Sequence, residues 1–78
     1  MSLYSLAFTD CSGRLLHDHR CEAANVSQAL AQANRRLSTL WLRDHGSRID
    51  PRGRVDVLDQ QGSTVARIHC ADAITAMS

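Results

Sequence analysis

Asn25-Val26-Ser27-Gln28-Ala29-Leu30-Ala31-Gln32-Ala33-Asn34-Arg35-Arg36-Leu37-Ser38-Thr39-Leu40-Trp41 is the stretch whose periodicity decides the fold. Asn25 and Gln28 have the spacing of a capping box, in which the first side chain accepts from the backbone of the fourth residue and the fourth reaches back. Val26, Ala29, Leu30, Ala33, Leu37, Leu40 and Trp41 then recur at steps of three and four, giving one apolar stripe suited to one sheet face. His45 suits the negative end of a helix dipole and Gly46 can take a left-handed stop, so the pattern predicts a helix over 26–45. Leu42 falls opposite the stripe, where a single apolar residue decides nothing.

Outward from the helix the period changes to two. Leu3 to Thr9 alternates, with Tyr4, Leu6 and Phe8 on one side and Leu3, Ser5 and Ala7 on the other, which is the pattern of a half-buried strand. Asp10-Cys11-Ser12-Gly13 is a turn, with an Asp acceptor at its start and a Gly for positive φ at its end, and Arg14 to His19 returns as a second strand. Beyond the helix, 46–53 holds Pro51 and two glycines and reads as a loop, with Ile49 a plug against the core. Arg54 to Leu58 and Ser63 to Cys70 form the remaining strands, joined by Asp59-Gln60-Gln61-Gly62. Both turns follow D-x-x-G, so two similar hairpins flank one helix. The fold class is therefore α+β: a ββαββ domain over 1–78 with hairpin 2–19, helix 26–45, loop 46–53 and hairpin 54–70. Its antiparallel four-stranded sheet has a helix over one face.

With Val55, Val57, Ala66 and Ile68 turned to the helix, alternation sends Leu58 and Val65 to the opposite face, together with Leu3 and one of Leu15 or Leu16. Sheet faces left to water normally carry polar side chains, so Leu3, Leu58 and Val65 are the candidate partner-binding residues.

Composition sets further bounds. Seventy-eight residues make one small domain, with only Tyr4, Phe8 and Trp41 aromatic. All nine basic residues are Arg, and eight acids bring the formal charge to +1, too balanced for a strong long-range field. Three cysteines without a C-x-x-C pair, and an N-terminus without a basic, apolar leader, fit reduced thiols in a cytoplasm. No run is long and apolar enough to span a bilayer.

Candidate chemistry is sparse. His17, His19 and Cys21 alternate and can share a side, with His69 and Cys70 further on, but the close Cys or His pairs of a zinc site are absent. Cys70 cannot use the adjacent His69 as a base, since neighbours on a strand face opposite ways. The acids Asp10, Asp44, Asp50 and Asp59 are explained by turns and helix ends. No catalytic, metal or cofactor site is expected, and the chain reads as a non-enzyme.

Arginines are the more serious lead. Arg36 and Arg43 share a helix face with Gln32 and Thr39, while Arg48, Arg52 and Arg54 cluster near the loop, so an Arg-dependent nucleic-acid contact is the alternative reading. Interleaved acids and the lack of aromatic stacking platforms weigh against it.

Tyr4 and Phe8 in the first strand, Asp18 and Glu22 in the second arm, Asn25, Ala29 and Ala33 at the helix, Gly53-Arg54 and Val57, Asp59 and Gly62, then Ile68 and Asp72-Ala73 form an order that resembles a small bacterial family, domain of unknown function family sixty-eight ninety-four. The resemblance spans nearly the whole chain. It implies the ββαββ fold and supplies no site. By size and chemistry alone, the chain is also similar to phage-encoded anti-CRISPR inhibitors, which occupy a surface on a bacterial nucleoprotein complex. Expectation thus settles on a protein-binding module, docking a protein or forming a homodimer through its open sheet face, with nucleic acid less favoured and no membrane partner.

Overall fold

Two hairpins account for the sheet, and each is closed by the same hydrogen bonds. In the first, Asp10 N–H donates to the Arg14 carbonyl at 2.9 Å and Gly13 N–H to the Asp10 carbonyl at 3.1 Å, while the Asp10 carboxylate accepts from the Ser12 and Arg14 amides. In the second, Asp59 N–H donates to Ser63 O at 2.9 Å and Gly62 N–H to Asp59 O at 3.1 Å, and the Asp59 carboxylate accepts from Gln61 and Ser63. Gly13 and Gly62 close these turns at φ 89° and 82°, a backbone region that L side chains disfavour.

The computed structural model describes residues 1–44 and 49–77. Its elements are β1 (Ser2–Thr9), β2 (Leu15–Ala23), α1 (Val26–Asp44), β3 (Arg54–Leu58), β4 (Thr64–His69) and α2 (Cys70–Met77). The strands form one antiparallel sheet in the order β2-β1-β3-β4. Hairpin β1–β2 and hairpin β3–β4 therefore lie side by side, joined by β1 against β3. Each hairpin also carries one extra residue at the matching place: β2 slips its register between Phe8 and Thr9, leaving Leu16 over, and β4 slips between Val57 and Leu58, leaving Val65 over. The similarity of the two D-x-x-G turns is thus matched in register and in turn bonding.

The four-stranded sheet with α1 on one face is as the periodicity predicts, while β2 and β4 each start one residue later than expected, at Leu15 and Thr64, and both of their ends move. The second strand runs on to Ala23 rather than stopping at His19, because Ser2 and Tyr4 at the start of β1 pair with Ala23 and Cys21, which are buried there. The last strand ends at His69 rather than Cys70, and Cys70 opens a second, short helix. In hindsight Cys70, Ala73, Ile74 and Met77 have helical spacing, but a segment of eight residues is short for a periodicity argument. Cys70 N–H donates to the Gly53 carbonyl at 3.1 Å, Cys70 is buried, and Ala73 and Ile74 pack on the core, so α2 joins α1 on the same side of the sheet.

The start of α1 follows the capping pattern with one change. Asn25 Oδ1 accepts from Gln28 N–H at 2.9 Å, and Gln28 Oε1 accepts from Ala24 N–H at 3.0 Å, one residue before the expected donor. The helix stop expected at His45 and Gly46 lies outside the described residues, as does Arg48. Ala29, Ala33, Leu37 and Leu40 are buried, Val26, Leu30 and Trp41 partly so, all against Tyr4, Leu6, Phe8, Val55 and Val57. Ile49 plugs this core as expected.

Gly53 has a separate reason to be glycine. A Cβ there would run into the carbonyl of Thr9, so this position is where the incoming chain passes closest to β1.

Candidate functional site

Cross-strand partners share a face, so the pairing assigns every sheet side chain. Tyr4, Leu6 and Phe8 pair with Cys21, His19 and His17, which puts the latter three under the helices. His17 lies with its ring 5.5 Å from that of Phe8, as part of the packing. His69 pairs with Arg54 on the opposite face, so the strand geometry separates it from His17 and His19. Among the described residues no three of His, Cys, Asp and Glu come together in a way that would hold a metal ion.

The face turned away from the helices is built from Leu3, Ser5, Ala7 and Thr9 on β1, Leu15, Asp18, Arg20 and Glu22 on β2, Arg54, Asp56 and Leu58 on β3, and Thr64, Arg67 and His69 on β4. Leu3 and Leu58 occupy this face as alternation requires, with Leu3 beside the β3–β4 turn residues Asp59 and Gln60. Leu15, the one of the two leucines that pairs with Thr9, is at the far end. Val65 is the extra residue of β4 and is 38% exposed. The apolar residues therefore sit towards the ends, and the middle is ionic.

Asp56 is the hub of that middle. Its side chain is 13% exposed, Arg67 Nε donates to its Oδ1 at 2.6 Å, and Arg54 Nε stands 3.5 Å from Oδ2. Arg54 Nε makes no hydrogen bond, so the second contact is Coulombic only. With Asp18, Arg20 and Glu22 on β2, the face carries carboxylates and guanidiniums in equal number. Periodicity marks Asp56 as outward-facing, but that Arg54 and Arg67 converge on it depends on the β3–β4 register.

The two candidate arginines of α1 part company. Arg36 lines a hollow between α1 and β2 together with Arg35, Gln32, Thr39, His19 and Leu6, whereas Arg43, in the last turn of α1, is exposed and does not line this hollow. Gln32 Nε2 donates to the Glu22 carbonyl at 2.8 Å, and Thr39 Oγ1 donates to the Arg35 carbonyl at 2.9 Å. Sequence spacing alone gave no place to His19 beside Arg36, since β2 and α1 meet only through the fold.

The buried thiols are held in their neutral form. Desolvation pushes Cys21 up from its ordinary value, and desolvation followed by the Asp50 charge does the same to Cys70. Cys11 is exposed in the first turn, where its N–H donates to Asp50 Oδ2 at 3.0 Å. Among the described residues no helix is long and apolar enough to cross a membrane.

No family model, curated protein or solved structure matches this chain.

Proposed function

We propose that this chain is a non-enzymatic protein-binding module that works through the sheet face away from its helices. The observation that supports this reading is the make-up of that face: Leu3 and Leu58 near one end, Leu15 at the other, and between them Asp18, Glu22 and Asp56 set against Arg20, Arg54 and Arg67. A face charged in one sense would favour a polyanion or a polycation. One with both signs in equal number suits a protein surface of mixed charge, and its most economical match is a second copy of itself turned end for end.

Sedimentation over a concentration series, on the natural chain and on a Leu58→Arg, Val65→Glu double variant, tests the reading. A dimer that forms with concentration and is lost in the variant supports it. A chain that stays monomeric, together with a photo-crosslinking side chain at Leu58 that captures no protein in cells, overturns it. The narrower form, an inhibitor of the anti-CRISPR kind acting in a bacterial cytoplasm, is supported by small size and near-neutral charge, which favours docking on protein over mimicry of DNA. Unimpaired interference in cells expressing the chain removes that narrower form.

A further inference from the structure

The hollow between α1 and β2 lies on the other side of the sheet from the proposed docking face and has a chemistry of its own. It is an open recess of about 220 Å³, with Leu6 for a floor and Arg35, Arg36, His19, Gln32 and Thr39 around it. Among the described residues that line it there is no carboxylate. Asp18 and Glu22 flank His19 in sequence, but pairing with Ala7 and Leu3 turns both to the opposite face. Arg36 adds a second observation. Its Nε is shielded from solvent and has no hydrogen-bond partner, an unfavourable state for a buried donor. Among the described residues no acid pairs with Arg35 or Arg36, so the two guanidiniums bring net positive charge to a partly sheltered recess.

From this we infer that the hollow is a binding site for a phosphate dianion carried by a small phosphomonoester. Two guanidiniums match a charge of −2, and a planar guanidinium offers Nε and Nη in the fork that phosphate oxygens accept. Turning the Arg36 fork into the recess satisfies its idle Nε and gives the ligand two parallel bonds. Arg35 supplies the second charge, and the His19 ring closes the β2 side. Thr39 spends its one donor on the Arg35 carbonyl and shapes the rim, while Gln32 gives one amide hydrogen to the Glu22 carbonyl and keeps a second for the ligand. The recess admits one phosphate group and its first substituent, not a track of successive nucleotides, and Leu6, at its base, offers no aromatic platform for a base.

Titration of uniformly ¹⁵N-labelled chain with inorganic phosphate, then with glycerol phosphate, at constant ionic strength and followed in amide and arginine Nε–H resonances, tests the inference. Saturable shifts centred on Arg36 Nε–H, Arg35 and His19 are the expected result. Arg36→Gln is expected to weaken binding by about tenfold or more, while Arg43→Gln, outside the hollow, leaves it unchanged. Thermal melts of both variants establish that they fold, and Arg35→Gln serves as the second probe if Arg36→Gln does not. Non-saturating shifts spread over all the arginines overturn the inference. So does acetate binding as tightly as phosphate, which would mark a carboxylate site. An oligonucleotide lacking terminal phosphate that saturates the same residues more tightly than glycerol phosphate would assign the recess to nucleic acid and also overturn it. None of these outcomes bears on the outer face, so the two proposals stand or fall separately.

Discussion

Ala7 and Asp56 face each other across β1 and β3 at the centre of the sheet, and the sequence offset that carries one to the other also carries Asp10 to Asp59, Gly13 to Gly62 and Leu16 to Val65. A twofold axis normal to the sheet at that pair therefore relates the two hairpins. Cys21 and Cys70 obey the same offset, although one lies within β2 and the other opens α2. Each hairpin is thus followed by a helix, α1 after the first and the shorter α2 after the second, and both helices lie on one face of the sheet.

Substitution of Asp56 probes that centre. Asp56→Asn removes the charge that holds Arg54 and Arg67 together, and the two guanidiniums then repel. Because Arg67 is 46% exposed, water screens much of the effect. The expected loss is about 1 kcal/mol, read as a lower urea midpoint with an unchanged slope, and smaller at high salt.

Glycines in this chain are expected to divide sharply. Gly53→Ala drives a methyl into the Thr9 carbonyl, where β3 enters the sheet, and is expected to cost about 2–4 kcal/mol or to prevent folding. Gly62→Ala meets no neighbour and bears only the strain of its φ of 82°, about 1 kcal/mol. Chemical denaturation of the two variants side by side gives the comparison.

Thiol chemistry should follow burial. Cys11 is expected to react with an alkylating reagent under native conditions, while Cys21 and Cys70 react only as fast as the chain opens. Their raised values in the folded state mean that the unfolded chain releases these protons first. Stability is thus full below the ordinary value of 9.0 and falls as pH rises beyond it. Peptide mapping after pulsed alkylation at increasing pH checks both statements.

Acid should loosen the turn region. The Ser12 hydroxyl and the Arg14 and Ser12 amides hold Asp10 below its ordinary 3.8, and the Arg52 and Cys11 amides do the same for Asp50, which ties the β1–β2 turn to the segment leading into β3. A depressed carboxylate stabilises the fold above 3.8, and that contribution is lost as pH falls through the lower folded value. Thermal melts between about pH 6 and about pH 2 are expected to show Asp10→Asn and Asp50→Asn with flatter acid limbs than the natural chain.

Local pattern sufficed wherever one element's own residues carry the signal. The D-x-x-G turns, the capping pair Asn25 and Gln28, the stripe from Val26 to Trp41 and the alternation of Tyr4, Leu6 and Phe8 each report a preference spanning a few neighbours. The extension of β2 to Ala23 was not legible because its cause is the partner strand, and α2 was not because eight residues give too few repeats to distinguish from the end of a strand. Outward placement of Leu3 and Leu58 followed from alternation, whereas the ionic cluster at Asp56 required the register of β3 against β4.

Sequence by itself determined the element types, the two turns and which side chains of each strand go together, because φ/ψ preference and side-chain period act over short range. Only the tertiary structure decided that β1 lies against β3 with Ala7 opposite Asp56, that Arg54 and Arg67 converge on one carboxylate, and that His19 meets Arg35 and Arg36 across a recess. Those juxtapositions join residues far apart along the chain, and they follow from burying one shared apolar face rather than from any local preference.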